Sequence, residues 1–157
     1  MILYFTDRQM NIVGQASTNL PEGLTVTDDL MTVDVDTGSA IFECKIHFNG
    51  ETRGLVDTCA EVGNYILRSG DGENEFYTII EAEIDTKKQQ VYIYAEDAGL
   101  DLLNEVVGAY EADKAYPISH YIQMYAADAG FQIGVNEAAS LTRKLSWDGE
   151  ATAQERL

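Results

Sequence analysis

The sequence predicts an α+β fold in which β-structure dominates: an antiparallel β-barrel-like domain over residues 1–96, then a mixed α/β segment over residues 97–157. Three observations predict it. Residues 1–96 hold about seven apolar-alternating stretches between short polar turns, with little helical periodicity, as in a sandwich or small barrel. From Asn74 to Val107 two strands and a polar turn lead into a change of period at Asp97, from 2 to about 3.6. After Pro117, Ile118, Tyr121, Ile122, Tyr125, Ala126 and Ala129 fall on one helical stripe.

Each element follows from its residues. Ile2–Phe5 is a short apolar strand, Asp7–Asn11 a turn, and Ile12–Ala16 the returning arm of a hairpin. A strand starting at residue 2 needs a partner from elsewhere or it frays. Leu24–Val35 is extended, with a bulge or bend expected at Asp28-Asp29. Ala40, Phe42, Cys44, Ile46 and Phe48 share one face of the cleanest strand, with Glu43, Lys45 and His47 on the other. Leu55, Val56 and Cys59 are spaced as one helical turn, weakened by Gly54. Asn64–Arg68 is a strand, and Ser69–Asn74 a hairpin turn.

The next strand places Phe76, Thr78, Ile80, Ala82 and Ile84 on one face and Glu81 and Glu83 on the wet one. Asp85–Gln90 reverses the chain, and Val91, Ile93 and Ala95 return it. Asp97 is the expected N-cap of a helix through Leu100, Leu103 and Val107, ending near Gly108. Ala109–Tyr116 connects to a second helix, opened by Pro117 and closed by Gly130. Short strands are expected at Phe131–Val135 and Leu141–Trp147, and a helix capped by Asp148 at the end. That helix reaches Leu157 without a C-cap, so the sequence is expected to continue into a larger protein.

The formal charge is −17, from 27 acidic and 10 basic residues. That balance excludes most modes of duplex DNA binding, which need a basic footprint, and disfavours anionic membrane surfaces. It fits a surface kept soluble by self-repulsion, or one past which nucleic acid slides. The N-terminus has neither the basic region nor the apolar run of a signal peptide, and no stretch approaches the ~20 apolar residues of a membrane span.

No catalytic signature is present. Cys44 and Cys59 lack zinc-site spacing, and Cys44 sits at a core position. The oxygen-rich Ser69–Glu75 is shorter than a twelve-residue calcium loop and reads as a turn. Asp28-Asp29 and Asp34 with Asp36 read as solvated acids unless the fold gathers them. His47 and His120 fall on polar faces and read as surface residues. Tyr92 and Tyr94 lie opposite Val91 and Ile93, which leaves core packing and a subunit interface both open. No catalytic, cofactor-binding or metal-ligating residue is assigned, and no cofactor is expected.

Three blocks carry a family likeness: MILYFTDRQMNIVGQAS at residues 1–17, NYILRSGDGENEFYTIIEAEIDTKKQQVYIYAEDAGLDLLNEVVGAYEA at 64–112, and LTRKLSWDGEATAQERL at 141–157. Together they resemble the N-terminal region of phage and prophage minor structural tail proteins of Gram-positive siphophages, the tail-associated lysin, tail endopeptidase or anti-receptor proteins. The likeness spans the chain in order and rests on phrase order rather than on a catalytic motif.

The resemblance implies a fold similar to baseplate hub proteins of contractile tails, in which a homotrimer of barrel-containing subunits closes the tail tube and forms the DNA exit ring. The implied partners are the distal tail protein, the tail tube and DNA in passage without specific binding. The implied place is the virion tail tip, after assembly in the host cytoplasm. No membrane binding is expected of this segment, and any lytic activity would lie beyond it. Two rivals stand beside this: part of a cell-wall peptidase, and a receptor- or glycan-binding module, which needs a concave aromatic site.

Overall fold

The computed structural model describes residues 1–19, 23–36, 39–70, 73–100, 106–126 and 133–156. The chain divides into two compact units, Met1–Ala98 and Gly99–Leu157.

The first unit is a closed barrel of seven strands: β1 (Ile2–Thr6), β2 (Ile12–Ser17), β3 (Leu24–Val33), β4 (Ala40–His47), β5 (Tyr65–Gly70), β6 (Glu73–Asp85) and β7 (Gln90–Asp97). Their spatial order is β1-β2-β3-β4-β7-β6-β5, and β5 closes the ring by pairing antiparallel with β1. β1 thus has a partner on each edge: Leu3 faces Ala16 on one side and Arg68 on the other. One pairing departs from the antiparallel expectation. β2 and β3 run parallel and meet only at Ala16–Leu24 and Ser17–Thr25.

Alternation fills the barrel. In β4, Phe42, Cys44 and Ile46 point inward opposite Ala95, Ile93 and Val91 of β7, and all six are buried. Leu3, Phe5, Leu24, Val26, Ile66, Tyr77 and Ile79 complete the interior. Helix α1 (Arg53–Cys59) adds Val56 and Cys59 to the same cluster, so the helical spacing of Leu55, Val56 and Cys59 corresponds to a short helix. Gly14 makes room for it on β2, because a Cβ there would meet the Cys59 sulfur. Gly63, after α1, holds φ at +88°, a conformation that glycine adopts without a Cβ clash. Its N–H donates to the Ile79 carbonyl at 2.8 Å.

Two bulges set the phase of long strands. The expected break at Asp28-Asp29 is present as a register shift between Thr27 and Leu30, with Asp28 at φ +51°. The Asp28 carboxylate reaches Lys45 Nζ at 2.6 Å. In β6 the expected buried face needs correction. Phe76 and Ile80 are 38% and 45% exposed, while Tyr77 and Ile79 turn inward. The register shifts between Ile79 and Glu81, beyond which Ala82 and Ile84 oppose Ile93 and Val91. A one-residue slip exchanges the faces: before the bulge Tyr77 and Ile79 replace Phe76 and Ile80 inside, while Thr78 is buried as expected, and after it Ala82 packs partly on the core and Ile84 stays 42% exposed.

Of the helix expected from Asp97 through Leu103 to Gly108, residues 101–105 lie outside the described residues. Asp97 ends β7 opposite Tyr77, and residues 98–100 make one 3₁₀ turn. Leu103 lies outside the described residues, and Val106–Val107 is a strand, β8.

The remaining elements are β9 (Tyr110–Glu111), β10 (Tyr116–Pro117), α2 (Ile118–Ala126), β11 (Thr142–Arg143), β12 (Ser146–Trp147), β13 (Ala151–Thr152) and α3 (Ala153–Arg156). The ribbons pair β8 with β13, β9 with β12, and β10 with β11. Pro117 directly precedes α2 as expected, whereas Gly130 and Phe131 lie outside the described residues. Ile133 and Val135 form no strand, and Val135 is 87% exposed.

The last helix begins later than expected. Thr152, not Asp148, caps it: Thr152 Oγ1 accepts the Glu155 N–H at 3.2 Å, and Glu155 Oε2 accepts the Thr152 N–H at 2.9 Å. This is a reciprocal capping box.

Candidate functional site

Three surfaces have chemistry beyond packing. The first is the outer face of β4, β7 and β6. Cross-strand register aligns Lys45, Tyr92 and Glu83 in one row and Glu43, Tyr94 and Glu81 in the next. Tyr92 donates its hydroxyl to Glu43, and Tyr94 donates to Glu96 at 3.0 Å. The hydrogen bond to Glu43 is the largest cause pushing the Tyr92 phenol up to about 12; burial and then Glu96 raise Tyr94. Both tyrosines are half-buried on the outside, so the core reading of them fails. The result is a stiff face of phenols and carboxylates, with Lys45 tied to Asp28.

The second surface is the distal half of β3. Its pairing with β2 ends at Thr25, so from Val26 onward one edge has no strand partner among the described residues. Leu30, Met31 and Val33 on this arm are 56%, 40% and 49% exposed. Beyond the Asp28-Asp29 bulge this edge is uncharged through Leu30–Val33, and an uncharged, unpaired strand edge is a template for another strand.

The third lies in the second unit. Tyr121, 2% exposed, is the centre of an aromatic cluster. Its ring meets Tyr110, Tyr116, His120 and Trp147 edge-on, with centroids 5.4–6.2 Å away. Its hydroxyl donates to the Arg143 carbonyl at 2.7 Å and accepts the Leu145 N–H at 3.3 Å, which ties α2 to the β11–β12 segment. Tyr110 and Trp147 pair directly across β9 and β12. Beside them opens a cavity of about 240 Å³ walled by Ala109, Tyr110, Glu111, Ser146, Trp147 and Asp148. Sequence spacing gave no sign of it, because its rings come from two short ribbons and a helix rather than from one periodic segment.

The residues weighed from the sequence are placed as follows. Cys44 and Cys59 are buried free thiols, pushed up by burial to about 12 and about 11. His47 Nε2 lies 2.8 Å from Thr27 Oγ1, and His120 stacks on Tyr116 at 4.0 Å. Asp34 accepts the Asp36 N–H at 2.8 Å as a turn. Glu75 pairs with Arg68 at 2.6 Å and accepts the Tyr77 hydroxyl at 3.1 Å. Among the described residues no three metal-ligating side chains converge, and no helix is long and apolar enough to cross a membrane. Neither a family model nor a curated protein matches this chain.

Proposed function

We propose that this chain is a structural module of a phage tail tip: a hub-type subunit that works as a homotrimer, contacts the distal tail protein and the tail tube, and rings the DNA exit path without catalysing a reaction. The observation that carries this reading is the free apolar edge of β3 on an otherwise closed barrel. The arm through Leu30, Met31 and Val33 has no strand partner on its β2 side among the described residues and is open to a neighbouring subunit. Strand addition is the common use of such an edge. Three copies joined in this way form a closed ring, as symmetric assemblies do. The order of the three sequence blocks also supports the reading, as does the −17 charge, which would keep passing DNA from adhering.

Light scattering on the purified chain tests it. A trimeric mass is expected, reduced to that of a monomer by Leu30→Lys with Val33→Lys while the circular dichroism of the barrel is retained. A monomer up to millimolar concentration, or a trimer indifferent to both lysines, would overturn the arm as the subunit contact.

A further inference from the structure

The cavity in the second unit has a regular chemical pattern. Ala109-Tyr110-Glu111 and Ser146-Trp147-Asp148 run antiparallel, with Glu111 opposite Ser146 and Tyr110 opposite Trp147. Each tripeptide reads small, aromatic, acidic, and together they wall a space of about 240 Å³. The two rings have centroids 6.0 Å apart with planes 40° from parallel. Tyr121 backs both rings edge-on, so neither collapses into the space.

The electrostatics are those of a cation site. Aromatic faces attract cations, and the attraction grows where water is excluded. Lys144 is 3.9 Å from Glu111, in a pair whose side chains are 53% and 76% exposed, so it neutralises that carboxylate weakly. Asp148 has no ion-pair partner among the described residues. The chain itself shows which cation a ring here accepts: the Arg156 guanidinium lies over Trp147, its central carbon 5.3 Å from the ring centroid. A guanidinium is planar, stacks on aromatic faces and bonds carboxylates with two parallel N–H groups, whereas an ammonium is a compact, strongly hydrated point charge.

We infer that the cavity beside the Tyr110–Trp147 pair is a binding site for an alkylguanidinium group, held against this aromatic wall and by the Asp148 carboxylate. That head group is supplied by a free small molecule or by an arginine side chain of a partner.

Trp147 is the only tryptophan of the chain, so its fluorescence reports on the site directly. At constant ionic strength, methylguanidinium, N-acetylarginine amide and the peptide Gly-Arg-Gly are titrated into the full chain, with N-acetylglutamine amide and N-acetylglucosamine as neutral controls. The cations should produce a saturable change with a midpoint of about 1–10 mM, as suits a small ligand with few contacts. Asp148→Asn and Tyr110→Leu should each weaken it about tenfold with circular dichroism unchanged. Midpoints alike for the three cations indicate a free small molecule, and a markedly tighter peptide indicates a partner arginine. A linear response without saturation, an equal response to N-acetylglutamine amide, a response to the saccharide alone, or indifference to Asp148→Asn would each overturn the assignment.

Discussion

Gly14 lies so close to Cys59 that a Cβ built on the glycine would stand 2.4 Å from the cysteine sulfur and 3.1 Å from Leu55 Cδ1. This approach seats α1 on β2. Gly14→Ala is therefore expected to lower stability by about 1–3 kcal/mol, the usual cost of overpacking, measured by urea unfolding. Adding Cys59→Ala removes the sulfur and should recover part of the loss. A double-mutant cycle without coupling would show that the two sites do not share this contact.

The two thiols should be chemically silent in the native protein. Thiolate is the reactive form, and burial holds Cys44 and Cys59 up at about 12 and about 11. At pH 8 a disulfide reagent is expected to modify both only at the rate of unfolding, and within mixing time in strong urea. Rapid labelling of either thiol in the native state would contradict their placement in the core.

Acid should loosen two hairpin turns before the barrel. Asp7 is held below the usual carboxylate range by the Asn11 side-chain amide and then the Asn11 N–H. Asp85 is held down mainly by the Lys88 N–H, with Lys87 adding to it. A depressed folded-state pKa means that this stabilisation is present above the unfolded value, about 3.9, and is lost as pH falls through the folded value. Amide exchange at Gln9, Asn11, Lys87 and Lys88 should rise below about pH 4. Asp7→Asn should abolish the acid response at Gln9 and Asn11 only; an unchanged response there would assign it to another group.

Tyr121→Phe leaves the aromatic packing but removes the hydroxyl that bridges Arg143 and Leu145. Loss of a buried, two-partner hydroxyl is expected to cost about 1–3 kcal/mol. Because Trp147 packs on this ring, its emission should report the loss as an earlier unfolding transition. An unaltered midpoint would mean that water takes over both bonds.

How much was legible in the sequence depended on whether one face or several elements set a residue's place. β4 was fully legible, because Phe42, Cys44 and Ile46 meet a single interior and nothing interrupts the alternation. β6 was legible only in part, since Phe76 and Ile80 are as apolar as Tyr77 and Ile79, composition alone does not locate the extra residue, and Ile84 near the strand end stays exposed. Leu55, Val56 and Cys59 suggested α1, yet Leu55 stays 38% exposed. The change of period at Asp97 marks the end of β7 and a 3₁₀ turn at residues 98–100, but the helical spacing did not foretell the strand at Val106–Val107. The cavity was hidden because Tyr110 and Trp147 are distant in sequence and adjacent only through a two-residue ribbon.

The closing pair of the barrel bears on how the protein is made. Of the seven barrel strands β1 leaves the ribosome before the others and finds β2 at once, but its second edge belongs to β5, from Tyr65 to Gly70. At ordinary translation speeds of about 5–20 residues per second, that edge stays bare for seconds. During this interval the nascent chain displays an apolar strand with live hydrogen-bonding groups, so ring closure is a late event of high contact order. Crowded polysomes would bring such edges from neighbouring chains together, which makes β1 the segment most exposed to misassembly before synthesis of the barrel is complete.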